Sequence, residues 1–226
     1  NTNRSYSPHI ASFAGEGTKK QLFFLSLLKI VMMEQLYPMK FTPVFRKKIW
    51  GGDKIWKRYG FDMAPREFCG EAWLLSGVEG SETVVSNGFL KGNTLNDLTS
   101  VYMGDLVGEG NFKKYGEEFP VLVKIIDANQ WLSVQVHPDD ELALERHDMN
   151  GKTEMWYIIE AKKNAELISG LKMDMDRNSF LVAAESGRIK EVLNMADVKP
   201  GFLFFTPAAR IYAIGPSILL AEMLQP

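Results

Sequence analysis

The chain has 226 residues, of which 46% are hydrophobic and 24% are charged, enough to bury a core in one domain or one and a half. Its net charge of -2 provides no basic surface for nucleic acid or for an anionic membrane, so neither is expected as a partner. The single cysteine, Cys69, excludes an intrachain disulfide and a cysteine-rich zinc module, and a reducing cytosol is the expected compartment.

The first 36 residues differ in composition and residue pattern from the rest of the chain. Residues 21–33 form an apolar run of about a dozen residues, whereas a membrane-spanning helix needs roughly 20. No small-residue cleavage site follows this run. We therefore interpret residues 1–36 as an N-terminal extension, either non-native or disordered/helical, with a secretory signal or an interfacial helix as the alternative. The natural start is then expected at Met32, Met33 or Met39.

From Tyr37 onward, short alternating segments are separated by Gly and Pro, which is typical of β-strands joined by turns. Two helices interrupt this pattern: one begins at Thr94, with Asp97 placed for a capping box, and the other covers residues 176–195. The predicted strands cover residues 71–76, 82–86, 121–126, 131–137, 155–159, 165–170 and 198–205. Together these elements predict a mainly β fold, a sandwich or jelly roll with short helical insertions.

The predicted strand Trp131–His137 carries the first candidate site. Because side chains alternate along a strand, Ser133, Gln135 and His137 share one face. The opposite face, which can pack into a core, carries Leu132, Val134 and Val136. A glutamine oxygen and an imidazole nitrogen both suit a borderline divalent cation. On the strand alone, a solvent-facing edge explains these residues at least as well.

Glu154 is the next candidate, and Lys152 lies two residues earlier on the same face. Both charges can point into one cavity, or they can form a surface ion pair worth ~0–1 kcal/mol. A surface pair is the weaker explanation, because the strand that follows is strongly hydrophobic and unpaired charges there are costly.

Three motifs occur in order: Ser133-Val-Gln-Val-His-Pro-Asp-Asp-Glu, Gly151-Lys-Thr-Glu-Met-Trp-Tyr and Pro207-Ala-Ala-Arg-Ile-Tyr-Ala-Ile-Gly-Pro. With these motifs, the chain resembles type I mannose-6-phosphate isomerases (phosphomannose isomerases), in particular their short bacterial branch, over residues 39–225. The resemblance implies a cupin-like jelly roll and a catalytic domain over residues 37–226. It also implies a zinc-dependent aldose-ketose isomerase that interconverts mannose 6-phosphate and fructose 6-phosphate by proton transfer through an enediol.

The resemblance also implies roles for particular residues. The family's zinc ligands fall on Gln135, His137 and Glu154, and its last ligand position falls on Tyr212. Its catalytic and substrate-binding groups fall on Lys152, which would assist at the sugar oxygens or phosphate, on Ser133 near the substrate, and on Glu222 as the candidate proton carrier.

Two positions depart from the family pattern. Tyr212 stands where the family has a histidine, and a phenol with a pKa of about 10 is a poor ligand while protonated. Ala209 replaces a glycine, which predicts backbone strain if that position needs a positive φ. The family also continues past Pro226, with an arginine-bearing segment and a smaller β-domain, so we expect a C-terminally truncated domain with reduced activity.

Two alternatives belong to other functional classes. One is a catalytically impaired cupin that binds sugar phosphate or only retains the fold. The other is a non-haem iron oxygenase. It is disfavoured because its 2-His-1-carboxylate set cannot be completed: His147 lies on a further helix predicted after Pro138, and His9 lies in the extension.

Overall fold

The computed structural model describes residues 36–62 and 66–226, and short strands rich in apolar residues make up most of its regular structure. Residues 39–226 form one unit. Apart from Leu36, the extension predicted over residues 1–36 lies outside the described residues, as does its apolar run. The strands are β1 Phe41–Thr42, β2 Val44–Gly52, β3 Cys69–Leu75, β4 Val84–Val85, β5 Leu122–Ala128, β6 Glu154–Ala161, β7 Glu166–Leu171, β8 Leu193–Asp197, β9 Leu203–Thr206, β10 Tyr212–Ile214 and β11 Ile218–Leu224.

Antiparallel pairing arranges these strands into a large sheet of order β2-β3-β5-β11-β6-β9, a small sheet of order β10-β7-β8, and the pair β1-β4. The main core lies between the large and small sheets. It contains Ile126, Trp156, Ile158 and Leu220 from one and Leu167, Tyr212 and Ile214 from the other. Burying each large apolar side chain contributes about 1.5–3 kcal/mol. The predicted mainly β, jelly-roll architecture is confirmed.

The helices are α1 Lys54–Tyr59, α2 Leu95–Tyr102, α3 Gly104–Val107, α4 Glu109–Tyr115, α5 Asp140–His147, α6 Arg177–Glu185 and α7 Ile189–Val192. The capping box predicted at the start of α2 is present. The Thr94 side chain accepts a hydrogen bond from the Asp97 backbone at 3.1 Å, and the Asp97 carboxylate accepts one from the Thr94 backbone at 2.8 Å. This helix is therefore specified locally.

The helix predicted over residues 176–195 is only partly correct. Its first part, α6, is capped by Asp176, and the chain then turns at Gly187, where φ is 73°. Residues from Leu193 onward form β8, because Leu193 pairs with Leu171 in the small sheet. Pairing with a distant strand has overridden the local helical spacing.

The strand predicted over residues 131–137 is wrong as a regular strand. One isolated bridge, between Gln135 and Tyr212, ties the segment to β10. Of its apolar face only Leu132 packs against the core, whereas Val134 and Val136 are 46% and 56% exposed. A segment bridged at a single residue does not bury a continuous face, so the predicted core packing of the two valines is also wrong.

Within residues 36–62 and 66–226, no helix is both long and apolar enough to cross a membrane.

The single cysteine, Cys69, is 2% exposed, and burial raises the pKa of its thiol to about 11. The thiol is therefore protonated near neutral pH and packs as a small apolar side chain.

Candidate active site

A row of side chains crosses the inner face of the large sheet. Lys124 of β5 stands opposite Glu222 of β11, which in turn stands opposite Trp156 of β6. These three strands are neighbours, so antiparallel register alone brings the residues together. Trp156 also belongs to the core between the sheets, so Lys124 and Glu222 lie directly beside that core.

Glu222 is held on both sides within this row. Lys124 Nζ lies 3.2 Å from Glu222 Oε2, and the Trp156 indole N–H donates to Oε1 at 3.2 Å. Burial raises the pKa of Glu222, and the nearby Lys124 ammonium opposes that rise. A buried carboxyl with a raised pKa is suited to carrying a proton in general acid-base catalysis.

Glu154 and Lys152 form the second charged pair. Lys152 Nζ lies 2.7 Å from Glu154 Oε1, and the glutamate side chain is only 1% exposed. The carboxylate of this ion pair is buried while the lysine side chain is 27% exposed, so the pair lies at the edge of the core. The contact is ionic rather than a well-formed hydrogen bond, because neither Glu154 oxygen has a hydrogen-bond partner of good geometry among the described residues.

His137 connects this ion pair to Tyr212. Its Nε2 lies 2.9 Å from the Tyr212 hydroxyl, 3.3 Å from Lys152 Nζ and 3.8 Å from Glu154 Oε1. Tyr212 is 3% exposed, and its ring packs edge-on against Trp156, with ring centroids 4.9 Å apart. These contacts bring four of the predicted site residues together, and Trp156 links them to Glu222.

The protonation states in this cluster follow from burial and charge. Burial, reinforced by the Lys152 ammonium, lowers the pKa of His137, so the imidazole is neutral near pH 7 and its approach to Glu154 is not an ion pair. Burial and the carboxylates of Glu154 and Glu222 raise the pKa of Tyr212 well above its usual range. Its protonated hydroxyl therefore donates to His137 Nε2, which accepts.

Two close backbone approaches position His137 and Lys152. The Ala209 N–H donates to the His137 carbonyl at 2.8 Å, and the Lys152 N–H donates to the Pro138 carbonyl at 3.1 Å. A Cβ on Gly151 would lie 2.4 Å from the backbone of Asp139, so this approach requires glycine. Ala209 has a φ of 64°, which confirms the predicted strain at the position where the family has glycine.

Ser133 and Gln135 are placed less closely. Ser133 is exposed, and the Gln135 amide donates weakly to the Ser133 carbonyl at 3.5 Å. The backbone of Gln135 exchanges two hydrogen bonds of 2.9 Å with Tyr212, but among the described residues no contact joins the Gln135 side chain to His137 or Glu154. Its predicted role as a ligand stays a prediction.

The sequence interpretation missed Lys124. It lies in the apolar run Val-Leu-Val-Lys-Ile-Ile, of which Leu122 and Ile126 on the same face are buried. A lone lysine at an inward position of such a strand must find a partner, because an unpaired buried ammonium is costly. Strand alternation alone could have identified it.

The resemblance implies zinc, and the donors that are present fit a cation in two respects. The Glu154 carboxylate is buried without a hydrogen bond of its own, and His137 is neutral with Nε2 facing it. Within the described residues no group of three or more His, Cys, Asp or Glu side chains is arranged for a metal, so further ligands must come from other residue types. Tyr212, whose hydroxyl lies 2.9 Å from His137 Nε2, is one such oxygen donor, and Gln135 is the other position that the resemblance implies.

The antiparallel double-sheet fold, with an inward cluster of two lysines, two glutamates, a histidine and a tyrosine, defines a cupin-type domain. The family model described as "Phosphomannose isomerase type I, catalytic domain" matches residues 39–172. The chain belongs to this family.

Named relatives agree with this assignment. Over 189 residues the chain is 39% identical to the mannose-6-phosphate isomerase ManA of Bacillus subtilis, which covers 83% of the chain and 58% of that relative. It is 38% identical over 188 residues to the mannose-6-phosphate isomerase of Streptococcus mutans, with coverage of 83% and 57%. The chain thus spans less than two thirds of the length of these curated relatives.

Solved structures show the same fold. The mannose 6-phosphate isomerase from Bacillus subtilis superposes with a TM-score of 0.77 at 34% identity, covering 84% of this chain and 59% of the other. A variant of phosphomannose isomerase from Salmonella typhimurium superposes with a TM-score of 0.64 at 16% identity, with coverage of 83% and 67%. The second likeness supports the fold alone.

Proposed function

We propose that this domain interconverts mannose 6-phosphate and fructose 6-phosphate. The observation that carries the proposal is the joined cluster of Glu222, Lys124, His137, Lys152 and Glu154 on the inner face of the sheet. Both named curated relatives are mannose-6-phosphate isomerases, which supports the same substrate pair here. The partner is then a small sugar phosphate.

Interconversion of an aldose and a ketose requires a proton to move between C-2 and C-1 of the open-chain sugar, through a cis-enediol. Glu222 is the proposed proton carrier, because its pKa is raised and Lys124 and Trp156 hold both carboxylate oxygens. Each transfer leaves the carboxyl in the opposite protonation state, and the return transfer restores it. Such a positioned acid-base group contributes typically ~10²–10⁴-fold to rate.

Lys152 is the proposed second catalytic residue, which also binds substrate through the sugar oxygens or the phosphate. Its side chain is 27% exposed, so it is accessible from solvent while its ammonium contacts Glu154. Ser133 is the proposed substrate contact at the exposed rim of the site. Positive charge beside the sugar oxygens stabilises the negative charge that develops as the proton leaves C-2.

Zinc is the proposed cofactor, with His137 and Glu154 as its ligands and Gln135 and Tyr212 completing the set. When bound, zinc would supply a Lewis acid that stabilises charge on the sugar oxygens. Tyr212 would contribute a protonated hydroxyl, because its pKa is raised. A cytoplasmic location is proposed on the single, reduced Cys69.

An enzyme-coupled assay tests this function. Mannose 6-phosphate and zinc are supplied, and fructose 6-phosphate is converted by phosphoglucose isomerase and glucose-6-phosphate dehydrogenase, with NADPH as the readout. We expect turnover that a chelator abolishes and added zinc restores. Absence of turnover in the zinc-loaded protein would contradict the proposal.

The second candidate is an impaired cupin that binds sugar phosphate or only retains the fold, and Tyr212 at the last ligand position favours it. Titration calorimetry with mannose 6-phosphate distinguishes a cupin that binds sugar phosphate from one that only retains the fold. Heat of binding without turnover indicates a sugar-phosphate binder, whereas no heat and no turnover indicate the fold alone.

A further inference from the structure

The geometry points to Lys152 as an internal cation that occupies the metal position when zinc is absent, and that zinc must displace in order to bind. We propose this on the basis of the proposed function, since it concerns the same ligand set. It assigns Lys152 a role in metal affinity that is separate from any contact with substrate.

The distances support a shared cation position. Lys152 Nζ lies 2.7 Å from Glu154 Oε1 and 3.3 Å from His137 Nε2, the two donor atoms that also face each other across 3.8 Å. A single positive group thus contacts both the anionic and the neutral donor. Zinc would use the same carboxylate, so ammonium and metal compete for Glu154, whereas at His137 zinc would also displace the Tyr212 hydroxyl from the Nε2 lone pair.

The burial of Glu154 strengthens the competition between the Lys152 ammonium and zinc. Glu154 is 1% exposed, and neither of its oxygens has a well-formed hydrogen bond among the described residues. An isolated carboxylate at this depth is costly, so the Lys152 ammonium is the charge that stabilises it in the metal-free protein. Lys152 is 27% exposed and extends from a segment pinned by its backbone, so its ammonium can move towards solvent when a divalent ion replaces it.

Replacing Lys152 with methionine removes the competing charge and keeps an unbranched side chain. We expect Lys152→Met to bind zinc chloride at least about tenfold more tightly in a chelator-competition titration, and the metal-free variant to melt at a lower temperature. Lys152→Arg, which keeps the charge, should stay near the wild type, as should Lys163→Met, which removes an exposed lysine elsewhere. An unchanged or weaker zinc affinity in Lys152→Met would overturn the inference.

A second measurement uses the unaltered protein and does not depend on the folding of a variant. Amine acetylation followed by mass spectrometry is compared with and without zinc. Acetylation of Lys152 should rise several-fold on zinc binding, because its ammonium is released, while Lys163 stays constant. No rise at Lys152, in a sample shown to hold zinc, would contradict the displacement.

These outcomes separate the two proposals. Equal zinc affinity in wild type and Lys152→Met, with isomerase turnover by the zinc-loaded wild type, removes this inference and leaves the proposed function standing. Tighter zinc binding in Lys152→Met, with no turnover by the zinc-loaded wild type, supports the inference and removes the proposed activity. Zinc binding by neither protein removes both the inference and the proposed metal site.

Discussion

Lys124 and Glu222 face each other across β5 and β11, and the lysine Nζ lies 3.2 Å from the glutamate Oε2. Both side chains are buried, and the Lys124 ammonium also lies over the ring of Trp73, 4.9 Å from its centroid. In such a site each charge depends on the other, because removing one leaves the second desolvated and unpaired.

Lys124→Met should therefore lower the free energy of unfolding by about 3–5 kcal/mol, measured by urea denaturation at neutral pH. The double variant Lys124→Met/Glu222→Gln removes both charges and should recover most of this loss. A double variant as unstable as the sum of its single variants would show that the two charges are not coupled.

Tyr212→His should raise zinc affinity by about tenfold or more, since an imidazole replaces a phenol whose raised pKa keeps it protonated. Equilibrium dialysis with metal analysis measures the effect. Tyr212→Phe is the matched control: it removes the hydroxyl that contacts His137 and should bring no gain in zinc. If Tyr212→His binds no more zinc than the wild type, the placement of the last ligand at this position is wrong.

Ala209→Gly should stabilise the protein by about 0.5–1 kcal/mol, because φ at this residue is 64° and glycine adopts that conformation without a steric penalty. Ala208 is not among the residues with positive φ, so Ala208→Gly should instead destabilise by about 0.5–1 kcal/mol. Chemical denaturation of the two variants side by side is the measurement. Destabilisation of equal size in both would refute the strain at Ala209.

Asp127→Asn should change how stability depends on pH. Asp127 is 1% exposed, its Oδ2 accepts from the Lys54 N–H at 2.7 Å, and Oδ1 has no hydrogen-bond partner among the described residues. Burial, reinforced by the carboxylates of Asp53 and Glu160 and opposed by Lys54, raises the pKa of Asp127.

The sign follows from this raised pKa. The folded protein holds the Asp127 proton more tightly than the unfolded chain, whose pKa is about 3.9, so ionisation costs stability as the pH rises through the folded value. Asp127→Asn should gain stability relative to wild type as the pH rises above about 4, measured by urea denaturation at each pH. Asp174→Asn, at an exposed residue elsewhere, is the control that should show little such gain. A pH profile for Asp127→Asn parallel to the wild type would contradict the assignment.

Local patterns predicted much of the fold. The Thr94–Asp97 capping box and the apolar runs that form β5, β6 and β7 could be recognised because the patterns that specify them lie within a few residues. β8 was not readable, because Leu193 follows a helical pattern and becomes a strand only through pairing with Leu171. The strand predicted over residues 131–137 was wrong for the opposite reason. Its polar and apolar residues alternate regularly, but the segment pairs with β10 at one residue only.

The sequence predicted which residues form the candidate site better than it predicted the contacts between them. The resemblance pointed to His137, Lys152, Glu154, Tyr212 and Glu222, and contacts through His137 join the first four. No sequence pattern could place the Tyr212 hydroxyl on His137 Nε2, since 75 residues separate the two and only the packing of β10 brings them together. Lys124 was visible as a charge in an apolar strand, but its partner came from the register of β5 with β11.

The most direct test of these assignments is the Glu222→Gln variant, followed by NMR as mannose 6-phosphate is converted to fructose 6-phosphate without coupling enzymes. Glutamine keeps the shape of the side chain and its contact with Trp156 but cannot carry the proton. Wild type and the exposed-residue control Glu185→Gln should convert substrate, while Glu222→Gln should be at least ~100-fold slower with zinc content unchanged. Conversion by Glu222→Gln at the wild-type rate would contradict the account.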